Sequence, residues 1–303
     1  QAEGFTVISN AWPSDLTDMD CFIGEFWNSY SDAENAGLEA FMLSGGGVVL
    51  GGHSWYWSYS NNDVAHDYSG NKIIDTTGLF VSSSTGSATS DLQGSPPSPF
   101  NQLRPALEGL EAYMVNNEPM DTEDQATASK MLERVVSQIP LDFTFVWQPL
   151  REMTNGTGWI EISPANKFDL QGDPIDRLVL KIQDRLLSLL PPSQLIAHPS
   201  TTTFPGDVPL NAARVNKTVT VNGTFAGLPS QFGYAGARAD GRMSTGLYAA
   251  AGEVVNISVP QNVVGTGVNI LVGAHTDKLW NKDTLSRHPV IFRTFEANSL
   301  QFT

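Results

Sequence analysis

Arg242-Met-Ser-Thr-Gly-Leu-Tyr-Ala-Ala-Ala-Gly-Glu-Val-Val-Asn-Ile-Ser-Val-Pro260, with Val268-Asn-Ile-Leu-Val-Gly-Ala-His-Thr-Asp-Lys-Leu-Trp280 behind it, decides how the C-terminal part of the chain is read. In the first stretch Val255, Ile257 and Val259 alternate with Val254, Asn256 and Ser258. That is the period of a strand with one buried face. Pro260 closes it, because proline cannot donate to a ladder in mid-strand. Val268, Ile270 and Val272 repeat the alternation, and the polar residues His275, Thr276 and Asp277 follow where that strand should end. Strand ends are where binding groups on a β scaffold commonly sit. Two ordinary sandwich strands, with Asp277 capping a turn under Trp280, fit the same residues.

Working outward, residues 214–221 place Val215, Val219 and Val221 on one side, and Asn222-Gly223 is a turn signal. Residues 287–295 supply another strand. Short strands separated by turns predict an all-β sandwich. The short link 261–267 implies that its two flanking strands run antiparallel as neighbours. Arg242, His275 and Asp277 would then meet at one end, with a guanidinium beside a carboxylate. Such a meeting is in the first place a structural clamp, and a ligand site is the alternative.

Upstream, a Pro-, Ser- and Thr-rich join at residues 191–204 separates this pattern from a helical one. It sets domains at 1–199 and 200–303. In the first, Phe5 to Ser9 and Asp20 to Gly24 read as buried strands. Ser31-Asp-Ala-Glu34 is a capping box opening a helix with Ala33, Ala36, Ala40, Phe41 and Leu43, stopped at Gly45-Gly46-Gly47. Val48-Val-Leu50 reads as a strand buried on both faces. Strand, helix, strand is a βαβ unit, so the expectation is an α/β, doubly wound, flavodoxin-like domain. Its first strand is expected to be completed by upstream residues or another chain. Further helices follow from Leu107, Leu110 and Met114 after Pro105, from residues 121–138, and from Ile175, Leu178, Ile182, Leu186 and Leu189 after Asp173-Pro174. Residues 82–99 read as a long loop.

Gly51-Gly52-His53-Ser54-Trp55-Tyr56-Trp57 is the one suggestive motif of this half. Paired glycines let backbone amides approach a ligand closely. Ser54 lacks the second glycine of a G-x-S-x-G elbow. Trp55, Tyr56 and Trp57 either stack on a sugar or pack.

The 303 residues carry a formal charge of −15, which argues against nucleic acid as a partner. The charge is uneven: residues 196–303 hold eight basic and six acidic side chains, and residues 1–195 hold nine and 26. No apolar run is long enough to span a membrane. The single cysteine, Cys21, allows no intrachain disulfide and no Cys-based zinc site. Sequons at Asn155, Asn216, Asn222 and Asn256 are candidate glycosylation sites and fit a secreted, extracellular chain. The chain opens at Gln1 without Met, as a mature or excised piece does.

"STGLYAAAGE…VNISVP…VGAHTDKLW…RHPVIFRTF", with "FPGDVP" at 204–209 and "RVNKTVTVNGT" at 214–224, resembles the β-sandwich that precedes the catalytic domain of enhancin-like mucin metallopeptidases. It also resembles the matching region of the TRP-channel-associated factors. "GGGVVLGGHSWYWSY" at 45–59 is similar to the glutamine-amidotransferase-like domain of the same factors. The resemblance implies an amidotransferase-like domain without its nucleophile, since no cysteine follows the Gly51-Gly52 strand. It implies a zinc peptidase only outside these residues. None of His53, His66, His198, His275 and His288 is followed by Glu, and no two are spaced as in His-Glu-x-x-His.

The expectation is therefore a non-catalytic extracellular interaction region that supports glycoprotein or glycan binding, with no metal and no cofactor. Its partners would be such glycoproteins, other chains or further segments of this one, and its candidate binding residues are Arg242, His275, Asp277, Trp55 and Trp57. The alternatives are a regulatory interaction protein with no linked protease, or a small-molecule hydrolase using the Gly51-Gly52 loop.

Overall fold

The computed structural model describes residues 6–8, 15–25, 30–74, 77, 79–83, 98–155, 157–224, 241–298 and 301–302. The chain divides into two units, Gln1–Gly158 with Asp173–Arg185, and Trp159–Gly172 with Leu186–Thr303.

In the first unit, β1 (Cys21–Glu25) and β2 (Gly47–Gly51) pair in parallel, with Cys21 opposite Gly47 and Glu25 opposite Gly51. The crossover between them is α1 (Asp32–Leu43). Both halves of its capping box form: Ser31 Oγ accepts from the Glu34 amide, and the Ser31 amide donates to the Glu34 carboxylate at 2.7 Å. At the other end the Gly45 amide reaches Met42 O and the Gly46 amide reaches Phe41 O, with Gly45 at φ +100°. This is a Schellman stop, and the left-handed position needs glycine.

The apolar stripe of α1 differs from expectation. Asn35, Leu38 and Phe41 are buried, whereas Ala33, Ala36 and Ala40 face solvent and Leu43 is 72% exposed. Asn35 is tolerated inside because its amide donates to Tyr30 O. β2 is not buried on both sides either. Phe22, Val48 and Leu50 pack on the core of Leu38, Val64, Tyr68 and Ile73, while Ile23 and Val49, opposite one another, are 77% and 56% exposed. An uninterrupted Val-Val-Leu run does not distinguish one covered face from two.

Three short helices follow, α2 (Ser54–Trp57), α3 (Val64–Asp67) and α4 (Ser69–Ile74). Asn71 fastens the last to the chain on both sides of it, donating to Val64 O and Val81 O and accepting from the Val81 amide. The helices α5 (Leu103–Met114) and α6 (Thr122–Val136) bury Leu107 and Leu110, and Ala128, Leu132 and Val135. Next comes α7 (Thr144–Asn155), which the sequence reading missed because Pro149 sits inside it. Val146, Trp147, Leu150 and Met153 nevertheless form one buried stripe. The strand β3 (Phe168–Asp169) precedes α8 (Pro174–Leu189), which buries Leu178 and Ile182. Glu133 on α6 receives Arg177 at 2.7 Å and Lys181 at 3.5 Å from α8.

In the second unit β4 (Ile257–Ser258) pairs with β8 (Gln301–Phe302), and β5 (Asn269–Val272) pairs antiparallel with β7 (Arg293–Glu296). β6 (Thr284–Leu285) pairs with β3. The strands flanking residues 261–267 are thus not ladder neighbours. The link instead docks on residue 297, whose carbonyl accepts from Gly265 and whose amide donates to Val268 O. Residues 214–221 and 244–248 carry no ladder among the described residues. An alternating pattern supplies the period of a strand, but a strand also needs a partner. Residues 6–8 carry no strand, and Phe5 and Ser9 lie outside the described residues, as do 84–97 of the expected loop.

Candidate functional site

The 20 residues between β5 and β7 leave the sheet as one excursion, and most of the polar candidates ride on it. Gly273 starts it at φ +87°, where an added Cβ would lie 2.3 Å from Ile291 O. The chain therefore closes on itself at that point only with glycine. Arg287, whose side chain is nearly buried, holds the excursion together. It forms an ion pair with Asp277, donates to His288 O at 2.9 Å, and lies 5.3 Å from the centre of the Phe204 ring. The ring of His275 packs on the other partner of that stack, 4.9 Å from Phe204. Arg242 donates from Nη1 to Thr276 Oγ1 at 2.9 Å, and Tyr248 donates to Gly206 O at 3.1 Å.

Arg242 therefore reaches the His275–Asp277 segment, but through Thr276. The carboxylate of Asp277 is matched by Arg287, which the sequence reading did not single out. Its presence in the quoted "RHPVIF" string was the available signal. Arg242, His275 and Tyr248 stay exposed on a surface whose inner polar groups are occupied by one another. A second ion pair, Arg214 with Glu253, lies on exposed chain nearby in sequence.

Beneath this unit's surface lies a closed aromatic and imidazole cluster. The His198 ring sits 4.9 Å from Trp159 and 4.7 Å from His288. His198 Nδ1 accepts from the Ser200 amide, and the Ser200 hydroxyl accepts from the Ile162 amide. His288 Nδ1 lies 2.9 Å from Val290 O. Burial, and next the neighbouring His288, push the His198 imidazole down to about 4.

The first unit carries a cleft of about 590 Å³ lined by Glu25, Gly51, Gly52, His53, Trp55 and Tyr56. It opens at the carboxyl ends of β1 and β2, where parallel strands commonly present ligand sites. Trp55 lines it. Trp57 does not: it packs edge-to-face on Tyr68 at 5.3 Å and belongs to the core. Two positions along a helical turn simply point apart. Ser54 is buried, and its hydroxyl donates to Ser82 O at 2.6 Å. Cys21 stands at the opposite end of β1, about 13 Å of strand away from Glu25. Asn155, Asn216, Asn222 and Asn256 are all exposed. Among the described residues no group of three or more His, Cys, Asp or Glu is placed to hold a metal ion, and no helix is long and apolar enough to cross a membrane.

Two family models match parts of the chain. Residues 210–303 match the N-terminal domain of M60-like peptidases. Residues 12–93 match the family described as TRPM8, N-terminal domain. Among curated proteins, the chain is 28% identical to TRPM8 channel-associated factor 2 of Homo sapiens, over 87% of this chain and 28% of that one. It is 24% identical to the TRPM8 channel-associated factor homologs of Danio rerio and Xenopus laevis, over 89% and 95% of this chain. The chain spans about three tenths of the length of these relatives, 29% and 30% of the latter two. No solved structure matches significantly. The M60-like match takes in Arg242, Tyr248, the whole β5–β7 excursion and both its ion-paired residues. The TRPM8-type match takes in the cleft.

Proposed function

We propose that these residues form a non-catalytic, extracellular interaction region whose second unit engages a glycoprotein partner. The observation that carries the reading is the held polar surface of the β5–β7 excursion. Arg287, Asp277 and Phe204 fix it from within, and Arg242, His275 and Tyr248 remain exposed on it. Four exposed sequons support an extracellular setting. A hydrolase using the Gly51-Gly52 loop has little to work with, since the Ser54 hydroxyl is spent on Ser82 O and Cys21 is at the wrong end of its strand. Under this reading the first half is a degenerate amidotransferase-like α/β domain and the second an enhancin-like β-sandwich.

A second reading is favoured by the relatives' name: a regulatory protein that associates with a channel and has no linked protease. Titrating the purified chain against an immobilised mucin-type glycoprotein, and separately against purified TRPM8 channel, separates the two. Saturable binding to the glycoprotein supports the first reading, and binding to the channel alone supports the second. Binding to neither sinks both.

A further inference from the structure

We propose that the cleft at the carboxyl ends of β1 and β2 receives a cationic side chain, a lysine ammonium or an arginine guanidinium, from a basic segment of a partner protein. The inference rests on the reading of the chain as an interaction region, but on the first unit rather than the second.

Trp55, Tyr56 and Tyr59 form a near-equilateral cluster, with ring centres 5.7, 5.6 and 5.7 Å apart and planes inclined by 78°, 81° and 64°. Tyr56 is 52% and Tyr59 74% exposed, so much of what this cluster offers to solvent is aromatic ring. Ring faces carry the negative end of the aromatic quadrupole and attract cations. Glu25 ends β1 in register with Gly51, at the rim of the same cleft. Among the described residues its carboxylate enters no ion pair and no Lys or Arg lines the cleft. A carboxylate lining the same cleft as aromatic rings is the chemistry that selects a cation with an apolar stem.

The field of this half favours the same occupant. Residues 1–195 hold 26 acidic and nine basic side chains, which steers a basic segment toward the surface. The volume, about 590 Å³, accommodates a long side chain and part of its backbone. A neutral saccharide would use the ring faces but gain nothing from the charge.

The test is fluorescence anisotropy of a dye-labelled triarginine peptide titrated with the 303-residue chain. The expected result is saturable binding that weakens about tenfold in Glu25→Gln and in Tyr56→Ala. Tyr56→Phe keeps the ring face, and Glu118→Gln removes an exposed carboxylate elsewhere in the same unit. Both should stay within about twofold of wild type. No binding, displacement of the peptide by maltotriose, or equal weakening by Glu118→Gln and Glu25→Gln would overturn the proposal. If Tyr56→Ala fails to fold, Glu25→Gln still decides, because Tyr30 bonds the Glu25 backbone carbonyl rather than its side chain. Triarginine binding without glycoprotein or channel binding would leave this proposal standing while the second-unit reading fails.

Discussion

His198 is kept neutral by its surroundings. Its Nδ1 accepts an amide proton, so the ring is the Nε2–H tautomer, and a second proton would have to enter a closed pocket beside another imidazole. The folded value, about 4, lies below the ordinary 6.5, so the unfolded chain takes up the proton first as the pH falls. Stability contributed by this group is complete above about 6.5 and is lost progressively down to about 4. The loss should be on the order of 2 kcal/mol once solvent screening is allowed for. Denaturant unfolding of the second unit at pH 7 and pH 5 should show it, and His198→Phe should remove most of the difference. An unchanged pH slope in that variant would contradict the account. Gly273 has a different constraint, a positive φ and a carbonyl where a Cβ would go. Gly273→Ala should destabilise by more than about 2 kcal/mol, measured by the same unfolding curves.

At the scale of elements, what was legible in the sequence was local. Ser31 and Glu34, three residues apart, form the capping box that their identities imply, and Ser31→Ala should weaken the unit by about 1 kcal/mol in thermal melts. The parallel register of β1 and β2 follows from a strand-helix-strand order that local residues announce. The exposed face of that pair was not legible, because burial of Ile23 and Val49 depends on what lies opposite, not on their own hydrophobicity. The same holds for β3 with β6, where Phe168 meets Leu285 across more than a hundred residues of chain. No local pattern encodes such a pairing. Within the candidate site, His275 and Asp277 stood out as polar residues after a strand, and Arg242 did reach their segment. The true partner of Asp277, Arg287, follows a loop whose return path only the Gly273–Ile291 approach reveals. Trp57 was misplaced for a simpler reason: adjacent residues of a short helix face different ways, and a run of aromatics does not say which one points inward.

At the scale of the whole molecule, two imidazoles give the two units opposite acid responses. His66 bridges Asp63 and Asp142 at 2.8 and 3.0 Å, and the hydrogen bond that its ring donates to the Asp63 carboxylate heads the causes that raise its affinity for a proton. Its contribution is fully present below about 6.5 and fades as the pH rises through its higher folded value. His198 acts in the reverse sense in the second unit. Acidification from pH 7 toward 5 should therefore weaken the second unit first, read as loss of the near-ultraviolet signal of Trp159 before that of the first unit's tryptophans. Simultaneous loss would count against two separately stabilised units. The central claim, that the second unit holds a surface for binding rather than for chemistry, is tested most directly on Arg242 and Asp277 together. The measurement is glycoprotein affinity and melting temperature for Arg242→Ala and Asp277→Ala side by side. Arg242→Ala should lose about tenfold in affinity at an unchanged melting temperature, while Asp277→Ala, which strips Arg287 of its partner, should lower stability by about 1 kcal/mol. An Arg242→Ala protein that melts lower yet binds as wild type would make Arg242 a structural strut and contradict the account.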